Sequence, residues 1–309
     1  ITQWRPEWCV GQLRDTPDAV DLGLPDMTPA EAAAAGGATL VIGVVNHGGY
    51  IETAWLPTLE AALAAGLDIA NGLHHRVAAI DSLARLARER GRALHDVRHH
   101  DAALAVGNGR PRAGRRVLTV GTDCAVGKMY TSLALAAELD RRGVPSSFCA
   151  TGQTGLLIAG SGICVDAVAS DFISGAAEQL APARDDAAHW DVVEGQGSLF
   201  HPSFAGVTLG LVHGAQAEAL ILCDRPARPH MMGLSDRPMP SLRDCLEAYE
   251  REARLTAPGA RCVAISLNTS DLDEAAAQTL LRKTRDELGL PCADPGRGGA
   301  AVLADALLG

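Results

Sequence analysis

At 309 residues the chain is long enough for two domains of ordinary size, each burying its own core. Hydrophobic residues make up 47% and charged residues 21%, the balance of a globular protein, and with aromatics at only 4% the interior falls to Ala, Val, Leu and Ile. The 27 Lys and Arg against 37 Asp and Glu give a net charge of -10. No basic block is long enough to follow a nucleic-acid backbone, and no apolar run reaches the roughly 20 residues that span a bilayer.

The eight cysteines, at 9, 124, 149, 164, 223, 245, 262 and 292, form no CxxC pair and no zinc-ligand spacing. This usage fits a reducing cytoplasm, with no metal expected. The sequence opens on Ile1 without an initiator Met or a signal-peptide pattern, so a few natural residues are expected to precede it.

In chain order, the apolar run GATLVIGVV at 37–45 predicts a strand, followed by the turn Asn46-His47-Gly48-Gly49 and a helix over 55–65. A second strand-helix unit follows. Its helix carries Val77, Ile80, Leu83 and Leu86 at helical spacing and stops at Gly91, before a strand over 92–97. The Gly-, Pro- and Arg-rich stretch 107–114 is the linker candidate, which gives a Rossmann-like domain at 1–110 and a second domain at 111–309. Alternation then restarts, with strands over 116–120, 146–150, 191–193, 219–223 and 261–267. Helices are predicted over 129–142, 166–180, 241–255 and 271–288. The expected fold class is α/β, the second domain a three-layer unit with a mostly parallel sheet.

GTDCAVGK at 121–128 matches G-x-x-x-x-G-K between a predicted strand and a predicted helix. Gly121 and Gly127 permit the turns that aim successive N–H groups inward, the helix start adds positive potential, and Lys128 supplies a point charge. The loop residues Gly121, Thr122, Asp123, Cys124, Ala125, Val126, Gly127, Lys128 and Met129 are the candidate cofactor-binding set. Met129 stands where nucleoside triphosphatases place the magnesium-binding Ser or Thr, and a thioether is a poor ligand for a hard cation. Thr131 and Ser132 lie further along the helix. The loop therefore suits gripping a pyrophosphate better than splitting a triphosphate.

Glu194, in EGQGS after a predicted strand, sits at a sheet's carboxyl end, where open α/β folds bind ligands, and reads as a general base or metal ligand. His201 is a second titratable group nearby. Arg225 and Arg228 follow the strand over 219–223 and suit a carboxylate or phosphate. The segment TGQTG at 151–155 is either a plain turn or a place where backbone approaches a ligand. His213 reads as a structural group before a short helix-to-strand segment, the pairs His74-His75 and His99-His100 as packing or surface residues, and Cys124 as a small hydrophobe.

GTDCAVGKM at 121–129, ATGQTGLLIAG at 150–160, EGQGSLFHPSF at 194–204 and VHGAQAEALILCDRP at 212–226 together resemble the D-glutamate N-acetyltransferase family. LVIGVVNHGGYI at 40–51 and AALAAGLDIANGLH at 61–74 look like that family's Rossmann-like amino-terminal domain, and a Met after the lysine belongs to its pattern. The resemblance implies acetyl transfer from acetyl-CoA to the amino group of D-glutamate in a cytoplasmic homo-oligomer, a dimer being expected. The phosphate loop would hold coenzyme A, and Glu194, Asp123 or His201 would take the ammonium proton. Arg225 and Arg228, with Gln153, would hold the substrate, and Lys128 or a backbone N–H pair the oxyanion. GTDCAVGK and EGQGS are also similar to the loops of dethiobiotin synthetase, which implies ATP-dependent carboxylate activation with Glu194 on magnesium. A nucleotide-sensing protein without chemistry is the third class.

Overall fold

The computed structural model describes residues 1–14, 16, 18–44, 46, 48–100 and 103–309. Helix α1 (Pro29–Ala34) starts at a capping box in which Thr28 and Glu31 satisfy each other's backbone N–H. Then come β1 (Thr39–Val41), α2 (Leu56–Ala64), β2 (Asp68–Asn71), α3 (Asp81–Arg90) and β3 (Leu94–Asp96). The strands form a parallel sheet in the order β1-β2-β3. Leu59, Leu63, Ile69, Val77 and Leu83 are its buried core.

The strand expected over 37–45 is shorter, because it persists only where it pairs with β2, and Val41 and Val44 are exposed. Val45 and His47 lie outside the described residues. Val77 and Ile80 precede α3 in a single tight turn rather than extending it, and α3 ends as expected at Gly91, which is left-handed at φ 63°.

The carboxy-terminal part contains β4 (Arg115–Gly121), α4 (Lys128–Arg141), β5 (Ser146–Cys149), α5 (Gln153–Ala159), α6 (Ile173–Leu180), β6 (Trp190–Val193) and α7 (Ala205–Ala215). It continues through β7 (Ala219–Asp224), α8 (Leu242–Ala253), β8 (Arg261–Leu267), α9 (Glu274–Leu288), β9 (Cys292–Ala293) and α10 (Ala300–Leu308). All its strands are parallel, in the order β5-β6-β4-β7-β8-β9. Successive strand residues point to opposite faces. Leu118, Val120, Leu220 and Leu222 therefore pack with Ile173, Leu211 and Tyr249 from α6, α7 and α8. Val117, Ala219 and Ile221 pack on the other side with Leu135, Leu139 and Leu303 from α4 and α10. This is a helix-sheet-helix sandwich, the three-layer domain expected.

Helices α1, α5 and α10 form where the sequence suggests none, and two further segments differ from expectation. The one expected over 166–180 begins only at Ile173, because Ile163 and Val165 are drawn into the core and leave isolated tight turns before it. The segment around His213 is part of α7, a full helix despite Gly206, Gly210 and Gly214 in its sequence. Here packing overrides propensity: a side chain at Gly210 or Gly214 would collide with Ile173 or Ser174 of α6.

The chain order β4, β5, β6, β7 places successive strands first on one side of β4 and then on the other. The carboxyl ends of β6, β4 and β7 thus border a switch-point crevice. The stretch 107–114 docks on α6, with the Asn108 and Gly109 N–H groups donating to Glu178 at 3.0 and 2.8 Å. Gly72, just after β2, packs against Gln153, just after β5, so the carboxyl edges of the two sheets meet. No helix among the described residues is long and apolar enough to cross a membrane.

Candidate active site

The phosphate loop joins β4 to α4. Ala125 at φ 52° and Gly127 at φ 103° are both left-handed, which curls the backbone into an N–H-lined concavity. No side chain caps the start of α4, so its first-turn amides are free of side-chain competition for an anion. Lys128 is buried and donates from Nζ to the Asp123 carbonyl at 2.7 Å. Burial lowers its pKa. Thr131 and Ser132 bond inward, to Ser266 and Thr119, at 2.8 and 2.9 Å. Both hydroxyls are thus committed to the packing of α4 on the sheet. Among the described residues no cluster of His, Cys, Asp and Glu is arranged to hold a metal.

Several distant residues fix the loop's shape. Tyr249 donates to the Gly121 carbonyl at 2.8 Å and Ser198 to the Thr122 carbonyl at 2.9 Å. Thr122 bonds Asp224 at 2.6 Å. Cys124 is half-buried, and burial raises its thiol pKa, which agrees with its reading as a small hydrophobe.

Glu194 stands at the carboxyl end of β6, between β5 and β4, and is 3% exposed. Its Oε2 accepts from the Thr151 and Gly152 amides at 2.9 and 3.2 Å, and Gln196 approaches Oε1 at 3.4 Å. Burial is the largest influence on this carboxyl and pushes its pKa up to about 7 against the pull of the two amides and Lys128. The TGQTG segment now has a specific role: a Cβ on Gly155 would overlap Glu194 Oε2, so these glycines let backbone close around a carboxylate. Gln153 opens α5 with its side chain against Gly72, and its carboxamide makes no hydrogen bond among the described residues.

The remaining candidates are placed differently from one another. Asp123 Oδ2 accepts from Arg228 at 2.9 Å and from the Met232 N–H at 2.6 Å, and the side chain is fully buried. His201 is also buried. Its Nδ1 accepts from the Ser203 N–H at 3.2 Å, so Nε2 carries the proton and donates to the Met232 carbonyl at 3.0 Å. Asp123 Oδ2 and His201 thus grip the two ends of Met232, while Asp123 Oδ1 is buried with no hydrogen-bond partner among the described residues. Arg228 further donates to the Cys124 and Ala125 carbonyls at 2.7 and 3.0 Å, pinning the segment after β7 onto the phosphate loop. Arg225 forms a two-pronged pair with Asp271, both contacts 2.8 Å. The structure thus brings together Glu194, Lys128 and the loop amides, with Gln153 at the rim. It sets Arg225 apart, and it uses Asp123, Arg228 and His201 as a clamp. Sequence reading missed Met232, Tyr249 and Ser198, whose roles depend on contacts remote along the chain and leave no local pattern.

Fold and site define a protein with a Rossmann-like domain followed by a P-loop domain. Residues 10–100 match the family described as a domain of unknown function, DUF1611_N Rossmann-like domain, and residues 104–304 match its partner, the DUF1611_C P-loop domain. The chain is 48% identical over 307 residues to a D-glutamate N-acetyltransferase of Tritonibacter scottomollicae, covering 99% of this chain and 92% of that one. It is 44% identical over 299 residues to one from a Pseudoalteromonas species, covering 97% and 90%. A crystal structure of a DUF1611 family protein from Anabaena variabilis is similar in fold, with a TM-score of 0.84 and 40% identity over 92% of this chain and 84% of that one. The chain belongs to the D-glutamate N-acetyltransferase family.

Proposed function

We propose that the protein transfers the acetyl group of acetyl-CoA to the amino group of D-glutamate. The relatives' name supplies the reaction, and the observation in this structure that carries it is Glu194, a buried carboxyl poised near neutrality beside the phosphate loop. Coenzyme A has a pyrophosphate that the loop amides and Lys128 can hold without a catalytic magnesium, and Met129 in place of a hydroxyl agrees with that use. The Glu194 carboxylate takes a proton from the substrate ammonium, and the free amine attacks the thioester carbonyl. The C–S bond of the tetrahedral adduct then breaks as the C–N bond is kept, the leaving thiolate takes one of the two amine protons to become free thiol while the other stays on the amide, and Glu194 returns its proton to water.

Purified protein given acetyl-CoA and D-glutamate, with no ATP and with a metal chelator present, is expected to release thiol and N-acetyl-D-glutamate in equal amounts. Phosphate release from Mg-ATP with no thiol would instead support the carboxylate-activating chemistry that the two loops also resemble.

A further inference from the structure

With acetyl transfer as the reaction, a dicarboxylate acceptor needs a cation near Glu194, and the two arginines first suited to that task lie on the β7 side of β4, away from β6. Arg225 is paired with Asp271 beyond β7, and Arg228 is bonded to the outside of the phosphate loop. We propose that Arg98, contributed by the amino-terminal domain, holds a carboxylate of the acceptor in a subsite formed where the carboxyl edges of the two sheets meet. The inference rests on the acetyl-transfer reading.

A chain of direct neighbours leads from Arg98 to the proposed base. Arg98 follows β3 and donates from Nε to the Gly72 carbonyl at 2.9 Å. Gly72 lacks a side chain where Gln153 closes on it, for a Cβ there would lie 2.8 Å from Gln153 Cγ. The next residue back, Gly152, gives its N–H to Glu194. Arg98 is 6% exposed, and its Nη1 is ion-paired with Asp166 of the carboxy-terminal domain. The charge of Asp166 also reaches Glu194 and opposes its ionisation. Nε and Nη1 fix the plane of the guanidinium, while Nη2 makes no hydrogen bond among the described residues. A guanidinium carries five N–H donors, so the fixed group retains a free edge for a carboxylate. Gln153, whose carboxamide makes no hydrogen bond among the described residues, sets its Cβ and Cγ against Gly72, the residue whose carbonyl Arg98 bonds.

Arg98→Lys, which keeps charge but loses the planar fork that meets a carboxylate in two parallel bonds, is expected to raise KM for D-glutamate about tenfold or more. KM for acetyl-CoA should stay within about twofold, because the loop amides are untouched. Asp166→Asn removes a competing negative charge while leaving Arg98 in place, so KM for D-glutamate should be unchanged or lower. If Arg98 and Asp166 are only a latch between domains, both variants will raise both KM values together, and that result overturns the assignment. An unchanged D-glutamate KM in Arg98→Lys also overturns it. Should Arg98→Lys fail to fold, the direction of the Asp166→Asn effect on the D-glutamate KM decides alone, a rise counting against. Wild-type protein that releases no thiol with D-glutamate sinks the underlying acetyl-transfer reading and this one with it, whereas normal wild-type turnover confines a failure to Arg98.

Discussion

Glu194→Gln is expected to lower kcat by about 10²- to 10⁴-fold, the usual contribution of a positioned general base. The substitution should leave the fold intact, since the glutamine carbonyl can still accept from the Thr151 and Gly152 amides that now bond Oε2. The same residue sets a pH dependence. With its pKa pushed up to about 7 by burial, Glu194 is protonated and inactive as a base below that pH. The wild-type kcat/KM for D-glutamate should therefore rise about tenfold per pH unit on the acid side and level off above about pH 7. The variant's residual rate should lack that inflection. The effect on stability runs the other way. The folded pKa lies above the ordinary glutamate value of 4.5, so the stabilisation from keeping this carboxyl neutral is full below about 4.5 and is lost as pH rises through about 7. A pH series of thermal unfolding on wild type and Glu194→Gln separates the two effects. An identical pH-rate profile in both proteins would remove Glu194 from the base role.

Gly155→Ala is expected to cost about 10²-fold in turnover through position alone, since displacements of the order of 1 Å have that effect on reacting groups. The added methyl would overlap Glu194 Oε2, and Phe148 Cζ lies only 3.3 Å away on another side, so the carboxylate must move from its two amides. The loss should appear in kcat with little change in KM for acetyl-CoA, because the phosphate loop lies on the other side of Glu194, at the end of β4. Initial-rate kinetics checks this, and wild-type kcat in a folded Gly155→Ala protein would show that the exact seat of Glu194 does not matter.

The parts that sequence exposes are those with local chemistry. The strand-loop-helix around 121–128 declares itself through two glycines and a lysine, and the alternating faces of β4 and β7 give buried apolar runs. Glu194 is legible because it follows a short apolar strand. Its perturbed carboxyl is not, since that depends on Gly152 and Gly155 folding over it from a different strand-helix connection. The arginines show the limit most plainly. Arg225, Arg228 and Arg98 look equally available in the sequence, and only tertiary contacts assign one to Asp271, one to the phosphate loop and one to the meeting of the two sheets. Helix α7 was obscured by glycines that exist for the close approach of α6, so the packing need looks in the sequence like a helix breaker. Asp123 and His201 carry the residue types of acid-base chemistry, yet they hold the Met232 backbone in place.

On the proposed function, one crevice holds the coenzyme A phosphates at the start of α4 and presents the thioester to Glu194. A crystal structure with coenzyme A and D-glutamate should then show the pyrophosphate within hydrogen-bond distance of the amides of residues 125–128 and of Lys128 Nζ, with the sulfur and the substrate nitrogen both beside Glu194. A pyrophosphate bound away from that loop, or a thiol pointing away from the end of β6, would contradict it.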